Sequence, residues 1–172
     1  MIIGHGDIAS ALIDHPGRCY FASGVSNSSE TRREAFERER WLLGQQPRHL
    51  RLVYFSSLCV LYSDTPYAEH KQRMETEVKD LFPCWAIVRI GNITWGSNPH
   101  TLINALRARE QAGEPPIIHD VYRYVIDADE LRHWLGLIPA WNCELNIPGR
   151  RLKVADIYRE FVKEWGGVPA FA

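Results

Sequence analysis

The sequence lacks long apolar runs, and no stretch approaches the roughly 20 apolar residues that are needed to span a bilayer. Its first residues, Met-Ile-Ile-Gly-His-Gly, include no basic segment followed by a long apolar run, so they do not resemble a secretion signal. Charge of one sign is also missing, because 20 Lys and Arg are balanced by 21 Asp and Glu. A net charge of -1 favours neither nucleic acid nor an anionic membrane as a partner. We therefore expect a soluble, cytoplasmic protein that binds any anionic ligand through contacts within its site rather than through the charge of the whole surface.

Cysteine is scarce, and its spacing excludes the common metal-binding patterns. The four cysteines lie far apart, with no Cys-x-x-Cys pair and no paired histidine spacing typical of a zinc site. All four stand in apolar contexts, which predicts buried, reduced thiols and no bound metal. They are Cys19, Cys59, Cys84 and Cys143.

Short apolar runs alternate with amphipathic or charged segments in the first two thirds of the chain, which is typical of a parallel sheet with crossover helices. Strands are predicted at 1–3, 19–22, 50–55 and 85–90. Helices are predicted at 7–13, 30–46, 67–81 and 101–112. Because the strand segments are almost continuously apolar, we expect both faces of the sheet to be covered. The fold class is therefore α/β, with an open, doubly wound, Rossmann-like sheet.

The pattern changes after Pro116, where shorter segments alternate. Strand-like pieces are predicted at 117–118, 122–126 and 144–147, and helical stretches at 128–135 and 154–165. We interpret 1–96 as a reduced Rossmann-like core and 97–172 as a small substrate-side lobe with a returning strand and helix, together forming one compact unit.

A glycine turn follows the first apolar run. Gly4-His-Gly6-Asp-Ile-Ala9 lies between a predicted strand and a predicted helix, which is the context in which a G-x-G-x-x-[GA] pattern indicates dinucleotide binding. Gly4 permits a tight turn, Gly6 lets a pyrophosphate approach the backbone, and Ala9 allows close helix packing. The alternative is an ordinary strand-to-helix turn, since two glycines near an N-terminus are common.

The second strand of a dinucleotide-binding fold is missing from this sequence. That strand normally ends about 20 residues after the glycine turn with an Asp or Glu that binds the adenosine ribose. Here only residues 14–18 separate the first predicted helix from the run 19–22, which looks like a later strand of the usual fold. We therefore expect the strands on the adenosine side to be absent.

Three polar groups are predicted to converge at the end of the third apolar run. Ser56 and Ser57 follow this run, and open α/β sheets bind ligands at the carboxyl ends of their strands. Tyr67 and Lys71 are four residues apart on the next helix, so they project from one face. A hydride moving between a carbinol carbon and nicotinamide needs a matching proton transfer, which a phenol with a lowered pKa supplies. A nearby ammonium favours the phenolate, and a serine hydroxyl holds the substrate oxygen.

Further motifs accompany these groups along the chain. They are Phe55-Ser-Ser57, Tyr67-x-x-x-Lys71, Arg89-Ile-Gly-Asn92-Ile-Thr-Trp-Gly96, the stretch 123–127, and Leu145-Asn-Ile-Pro148. With the glycine turn, they make the chain resemble, nearly from end to end, an extended short-chain dehydrogenase/reductase of the NAD-dependent epimerase/dehydratase group. The resemblance implies a nicotinamide-dependent epimerase, dehydratase or reductase acting on a nucleotide-linked sugar. It also implies NAD or NADP as cofactor, with Tyr67 as acid/base, Lys71 tuning it and Ser57 polarising the substrate.

The resemblance assigns further contacts by position. Asn92 and Thr94 are expected to contact the substrate. The residues expected to contact the cofactor are Gly4, His5, Gly6, Asp7, Ile8, Ala22, Ser23, Gly24, Lys71 and Gly91. One departure concerns the catalytic hydroxyl, which in the family lies four residues before a tyrosine that resembles Tyr62, and this spacing falls on Leu58 rather than Ser57.

Other functions stay open at this point. The chain is alternatively a non-catalytic binding or regulatory protein that has lost the full cofactor pocket, or a reductase for a smaller carbonyl compound, because only nine residues separate Ser57 from Tyr67. The structural alternative for the central pair is a packed tyrosine and a solvated lysine. In each case the resemblance implies a homodimer, or pairing with a related subunit, through helices 30–46 and 67–81.

Overall fold

The computed structural model describes residues 1–164, which form a main parallel sheet, a small second sheet and six α-helices. The main sheet has the strand order β1-β2-β3-β4-β7, and every neighbouring pair is parallel. Its strands are β1 (Ile2–Ile3), β2 (Arg18–Phe21), β3 (Arg51–Ser57), β4 (Trp85–Ile90) and β7 (Cys143–Ile147). The second sheet has the order β5-β6-β8, formed by β5 (Asn92–Ile93), β6 (Tyr122–Ile126) and β8 (Arg150–Lys153).

Helices cover both faces of the main sheet, as expected for a doubly wound α/β fold. They are α1 (Asp7–Ser10), α2 (Arg33–Gly44), α3 (Pro66–Leu81), α4 (Leu102–Gln111), α5 (Ala128–Gly136) and α6 (Val154–Tyr158). Alternate residues of each strand point to opposite faces. Val53 of β3 packs in one core cluster with residues of α1 and α5. Leu52 and Tyr54 pack in the other cluster with residues of α2 and α3.

The first crossover has the opposite hand to the next two. Strands β1 to β4 lie in sequence order across the sheet and are parallel, yet α1 packs on one face and α2 and α3 on the other. Two crossover connections that step in the same direction across a parallel sheet, one over each face of the sheet, must have opposite hands. Because about 98% of such connections are right-handed, we assign the left-handed form to β1-α1-β2. This hand is consistent with the absence, between α1 and β2, of strands that the usual dinucleotide-binding fold has there.

Helix α3 begins where local chemistry predicts a start. The Thr65 side chain accepts a hydrogen bond from the Ala68 amide at 3.3 Å, and Pro66 occupies the first turn, where it costs no backbone hydrogen bond. Met74 and Val78 then bury the inner face against the sheet. This start fixes Tyr67 in the first turn of the helix, next to the carboxyl end of β3.

The chain beyond residue 97 supplies β6 and β8 of the second sheet and also returns to the main sheet. Ile103 of α4, Val125 of β6 and Ile157 of α6 form a small core of their own. Strand β7 pairs in parallel with β4 along its whole length. No helix within residues 1–164 is both long and apolar enough to cross a membrane.

Several predicted bounds are wrong in detail. The first helix ends at Ser10 rather than residue 13, and residues 117–118 are exposed and form no strand. The last predicted helix is α6 followed by a π-helical turn, Arg159–Lys163, and Trp165 lies outside the described residues. Cys84 is exposed, although its apolar context predicted burial.

Candidate functional site

Ser57 presents its hydroxyl to Tyr67 at the carboxyl edge of the main sheet. It is the last residue of β3, and its side chain accepts a hydrogen bond from the Cys59 amide at 3.3 Å. The nearby Ser57 hydroxyl acts to lower the pKa of the Tyr67 phenol. Leu58 is instead buried as the first residue of a 3₁₀ turn. The local geometry therefore brings Ser57, and not Leu58, to the tyrosine.

Tyr67 is buried, and its surroundings disfavour the charged form. Burial raises the pKa of its phenol well above the ordinary value, and the Cys59 thiol and the Glu39 carboxylate raise it further. The Ser57 hydroxyl opposes this rise in pKa without reversing it. Tyr67 is therefore a neutral phenol at physiological pH, able to donate a proton. The phenol of lowered pKa that the sequence predicted is not present in this arrangement.

Lys71 lies beneath Tyr67 but is bonded to other groups. Its side-chain nitrogen, Nζ, donates hydrogen bonds to Glu39 Oε1 at 2.8 Å and to the Tyr54 hydroxyl at 3.2 Å. The same atom is 5.8 Å from the centroid of the Tyr67 ring. Only 2% of Lys71 is exposed. Lys71 thus shares the face of α3 with Tyr67, as the spacing predicted, while its closest partner is a carboxylate from α2.

Glu39 is the central residue that the sequence analysis missed. It is completely buried and accepts hydrogen bonds from Lys71, Tyr54 and the Val25 amide, the last at 2.7 Å. Its Oε2 also lies 2.9 Å from His70 Nε2, which must carry the proton because a carboxylate only accepts. Burial raises the pKa of the Glu39 carboxyl, but the Lys71 charge and these hydrogen bonds lower it to about 2.

A signal for Glu39 was present in the sequence. Phe36, Glu39 and Leu43 are spaced at helical intervals, so Glu39 falls on the apolar stripe of α2. Phe36 stacks on the His70 ring at 4.4 Å, and Leu43 is fully buried, which confirms that this stripe faces inward. A carboxylate on such a stripe indicates a buried partner.

The glycine turn is held close to the end of β2. Gly4 has φ +114°, and a Cβ there would lie 2.5 Å from the Ala22 carbonyl oxygen, so only glycine fits. A Cβ at Gly6 would meet no atom within 4 Å, and His5 is exposed. The backbone at Gly6 is thus open to approach. Ile8, in contrast, packs against the core.

Asp7 binds the segment that follows β5. Its carboxylate accepts hydrogen bonds from the Ser97 amide at 3.0 Å and the Asn98 amide at 2.9 Å. Its carbonyl accepts one from Trp95 Nε1 at 2.7 Å. The 95–98 segment therefore fastens directly onto the glycine turn.

The loop after β2 covers the Lys71–Glu39 pair. A Cβ at Gly24 would lie 2.6 Å from Glu39 Oε1 and 2.7 Å from Lys71 Nζ, so the backbone passes directly over both charges. The neighbouring Ser23 carbonyl accepts a hydrogen bond from Arg38 at 3.4 Å. Gly24 is thereby brought together with Lys71, as the sequence predicted for the cofactor edge.

The predicted substrate-side residues contact β6. A Cβ at Gly91 would lie 2.6 Å from the Tyr124 carbonyl oxygen, and the Asn92 side-chain amide donates to that oxygen at 3.0 Å. The Thr94 amide donates to the Ile126 carbonyl at 3.0 Å. In this structure Gly91, Asn92 and Thr94 join the second sheet to the end of β4, and their roles toward a ligand stay predictions.

Neither the known protein-family models nor the curated protein sequences give a match to this chain. Solved structures do match. The NAD⁺ complex of WbmH from Bordetella bronchiseptica superposes with a TM-score of 0.67 at 11% identity, covering 90% of this chain and 61% of that chain. The complex of WbmG with NAD and UDP, from the same organism, gives a TM-score of 0.62 at 15% identity, covering 91% and 58%.

A third solved structure also matches this chain. The dTDP-glucose 4,6-dehydratase of Bacillus anthracis, in complex with NAD, gives a TM-score of 0.64 at 13% identity and covers 88% of this chain and 58% of that chain. This chain therefore spans about three fifths of the length of the three structures. At these identities the likeness concerns the fold. The protein has a shortened form of the Rossmann-like fold of these three structures, which confirms the reduced Rossmann-like sheet that the sequence predicted.

Proposed function

We propose that the protein is a nicotinamide-dependent epimerase, dehydratase or reductase that acts on a nucleotide-linked sugar. The observation that carries this proposal is the grouping of Ser57, Tyr67 and Lys71 at the carboxyl edge of the main sheet, where Lys71 Nζ is 5.8 Å from the centroid of the Tyr67 ring. Ligands of open α/β sheets bind at this edge. The structural neighbours that hold NAD, or NAD with UDP, support the ligand class.

The residues at the sheet edge suit the nicotinamide and ribose half of a nicotinamide dinucleotide better than they suit its adenosine half. At the nicotinamide and ribose end, Gly24, Tyr67 and Lys71 lie together at the sheet edge. At the other end β1 is the edge strand of the main sheet, so no further strand of this sheet supports an adenosine. The Asp7 carboxylate at the glycine turn also repels a diphosphate. We therefore propose that binding is dominated by the nicotinamide ribose.

Within this proposal, the cofactor supplies hydride acceptance and donation when it is bound. Tyr67 moves a proton at the substrate oxygen, and as a neutral phenol it begins as the donor, which suits a carbonyl that is being reduced. Ser57 hydrogen-bonds the same oxygen and the phenol. Lys71 holds the ribose hydroxyls and offers its positive charge to the phenolate that remains after proton transfer.

The test is turnover with a panel of UDP-linked and dTDP-linked sugars in the presence of NAD or NADP. Tyr67→Phe should lower kcat/KM by at least about 100-fold, because general acid–base catalysis contributes roughly 10² to 10⁴. Tyr62→Phe is the matched control, since Tyr62 is largely exposed, and it should keep full activity. Undiminished turnover in Tyr67→Phe would contradict the assignment.

A second candidate is a non-catalytic binding protein of the same fold. Two observations favour it: the Lys71 charge is compensated by Glu39, and the 95–98 segment is bonded to Asp7 at the glycine turn. This candidate predicts that the protein folds normally and binds none of NAD, NADH, NADP and NADPH in calorimetric titrations. Binding of any one of them favours the enzyme.

A further inference from the structure

The Lys71 ammonium is buried at a depth where an isolated charge is unstable. Only 2% of the residue is exposed, and Glu39 beside it is not exposed at all. A buried lysine without a counter-charge loses its proton, because removal from water penalises the charged form. A neutral Lys71 would neither hold a ribose by charge-assisted hydrogen bonds nor attract a phenolate. The role proposed for Lys71 thus requires a carboxylate next to it.

Glu75 also places a carboxylate near Lys71, on the same face of α3, but this carboxylate is already paired with Arg89. Glu75 lies one turn after Lys71, but both of its oxygens accept hydrogen bonds from Arg89, at 2.8 Å and 2.5 Å. The Arg89 guanidinium also bonds Glu144 at 2.6 Å. Lys71 donates to Glu39 and to the neutral Tyr54 hydroxyl. Glu39 is therefore the counter-ion of Lys71.

Glu39 also ties Lys71 to the loop that covers it. One oxygen, Oε1, accepts from Lys71 and from Tyr54, while the other, Oε2, accepts from the Val25 amide and from His70. Four segments thus meet on a single carboxylate: the loop after β2, strand β3, helix α2 and helix α3. A movement of Glu39 must shift Lys71 and the Gly24–Val25 backbone together.

We propose that Glu39 is a positioning residue of this site, which holds the Lys71 ammonium charged and oriented beneath Tyr67 and locks the Gly24–Val25 loop over it. Glu39 touches neither substrate nor cofactor in this role and acts through Lys71. Its negative charge adds to burial and to the Cys59 thiol in raising the pKa of the Tyr67 phenol. The effect of Glu39 on catalysis rests on the proposed function, but the hydrogen bond between Glu39 and Lys71 is testable separately.

The first test observes the Lys71 ammonium by ¹⁵N-lysine NMR. The chain has four lysines, so the signal is assigned by its loss in Lys71→Met. Hydrogen bonds to Glu39 and Tyr54 should make the Lys71 ammonium protons exchange slowly enough to be seen at pH 7 and 25 °C. Glu39→Gln should remove this signal, whereas Glu37→Gln, on the exposed face of the same helix, should leave it unchanged. An unchanged Lys71 signal in a folded Glu39→Gln protein would overturn the proposal.

The second test separates positioning from mere folding. In the double variant Glu39→Gln/Lys71→Met the buried charges are removed together, so its melting temperature should be higher than that of Glu39→Gln, in which one charge stays unpaired. NADH binding, followed by its fluorescence, should be at least 10-fold weaker in both variants and within twofold of the unchanged protein in Glu37→Gln. Full NADH affinity in a folded Glu39→Gln protein would contradict the positioning role.

The two proposals fail in distinguishable ways. If the unchanged protein binds neither NADH nor NADPH, the proposed function is wrong, while the Lys71 signal still decides whether Glu39 holds the ammonium. If NADH binds and the Lys71 signal survives Glu39→Gln, the positioning role alone is wrong.

Discussion

The charge on Glu39 should make stability depend on pH in a defined window. The folded pKa of its carboxyl is lowered from 4.5 to about 2, so its contribution is complete above pH 4.5 and is lost as the pH falls toward 2. This shift corresponds to roughly 3 kcal/mol. Urea unfolding at pH 7, 4.5 and 3 should show a steep loss in the unchanged protein. The loss should be smaller in Glu39→Gln/Lys71→Met, and an equally steep loss there would contradict this origin.

At the residue scale, the sequence predicted which of these side chains lie near one another better than it predicted their hydrogen bonds, and their roles toward a ligand stay predictions. The Tyr67-Lys71 spacing and the position of Ser57 at the end of β3 place these three residues on one edge by local geometry alone. The partner of Lys71 lies 32 positions away, on another helix, and such a contact follows from how helices pack on the sheet. Glu39 was hidden because α2 is mostly charged, and a single buried carboxylate resembles its exposed neighbours in sequence.

At the scale of elements, the contact between the 95–98 segment and the start of α1 should be sensitive to a single methyl group. Gly96 has φ +88°, and a Cβ there would lie 2.1 Å from Asp7 Cγ. Gly96→Ala should therefore destabilise the protein by about 2 kcal/mol or more, from backbone strain plus the displaced carboxylate. Thermal or urea unfolding measures the effect.

Gly113→Ala is the control for this substitution. Gly113 also has a positive φ, +69°, but a Cβ there meets no atom within 4 Å. Gly113→Ala should lower the free energy of unfolding only by the backbone strain, about 1 kcal/mol. Equal losses in the two variants would show that the Asp7 contact adds nothing to stability.

The long, strongly patterned elements were predictable and the short ones were not. Strand β4 and helix α3 were predicted to within one residue at each end, because apolar continuity and a proline start mark them clearly. Strand β5 has only two residues, and β8 has the polar sequence Arg-Arg-Leu-Lys, so neither shows a strand pattern. Both exist because β6 lies between them and pairs with each.

At the scale of the whole molecule, the order of the main sheet confirms what the short link 14–18 suggested about absent strands. In this sheet β1 is an edge strand of two residues, and α1 lies on the face opposite α2. The hand of this crossover was not predictable, since sequence patterns carry no handedness and the general rule favours the right-handed form. Its left-handed assignment follows from the packing of α1 on the opposite face together with that rule.

The outer faces of α2 and α3 should form the contact between two copies of the chain, as the family resemblance implied. Between these helices lies a groove of about 510 Å³ that includes Trp41 and Leu81 in its lining. Trp41 is 64% exposed, which is unusual for so large an apolar side chain. Light scattering should give the mass of a dimer for the unchanged protein and of a monomer for Trp41→Glu.

The control for the dimer contact uses an equally exposed tryptophan elsewhere. Trp141 precedes β7, far along the chain from α2 and α3, and is 72% exposed. Trp141→Glu should remain dimeric. A monomeric unchanged protein would contradict the proposed contact.

The most direct test of the central claim is calorimetric titration with NADH and with reduced nicotinamide mononucleotide, which lacks the adenosine half. Because Tyr67, Lys71 and Gly24 form the proposed nicotinamide edge and no strand formed by residues 1–164 lies beyond β1 in the main sheet, both compounds should bind with dissociation constants within about fivefold of each other. Lys71→Met should weaken both equally. Absence of binding by both compounds, in a protein that is folded, would contradict the nicotinamide site.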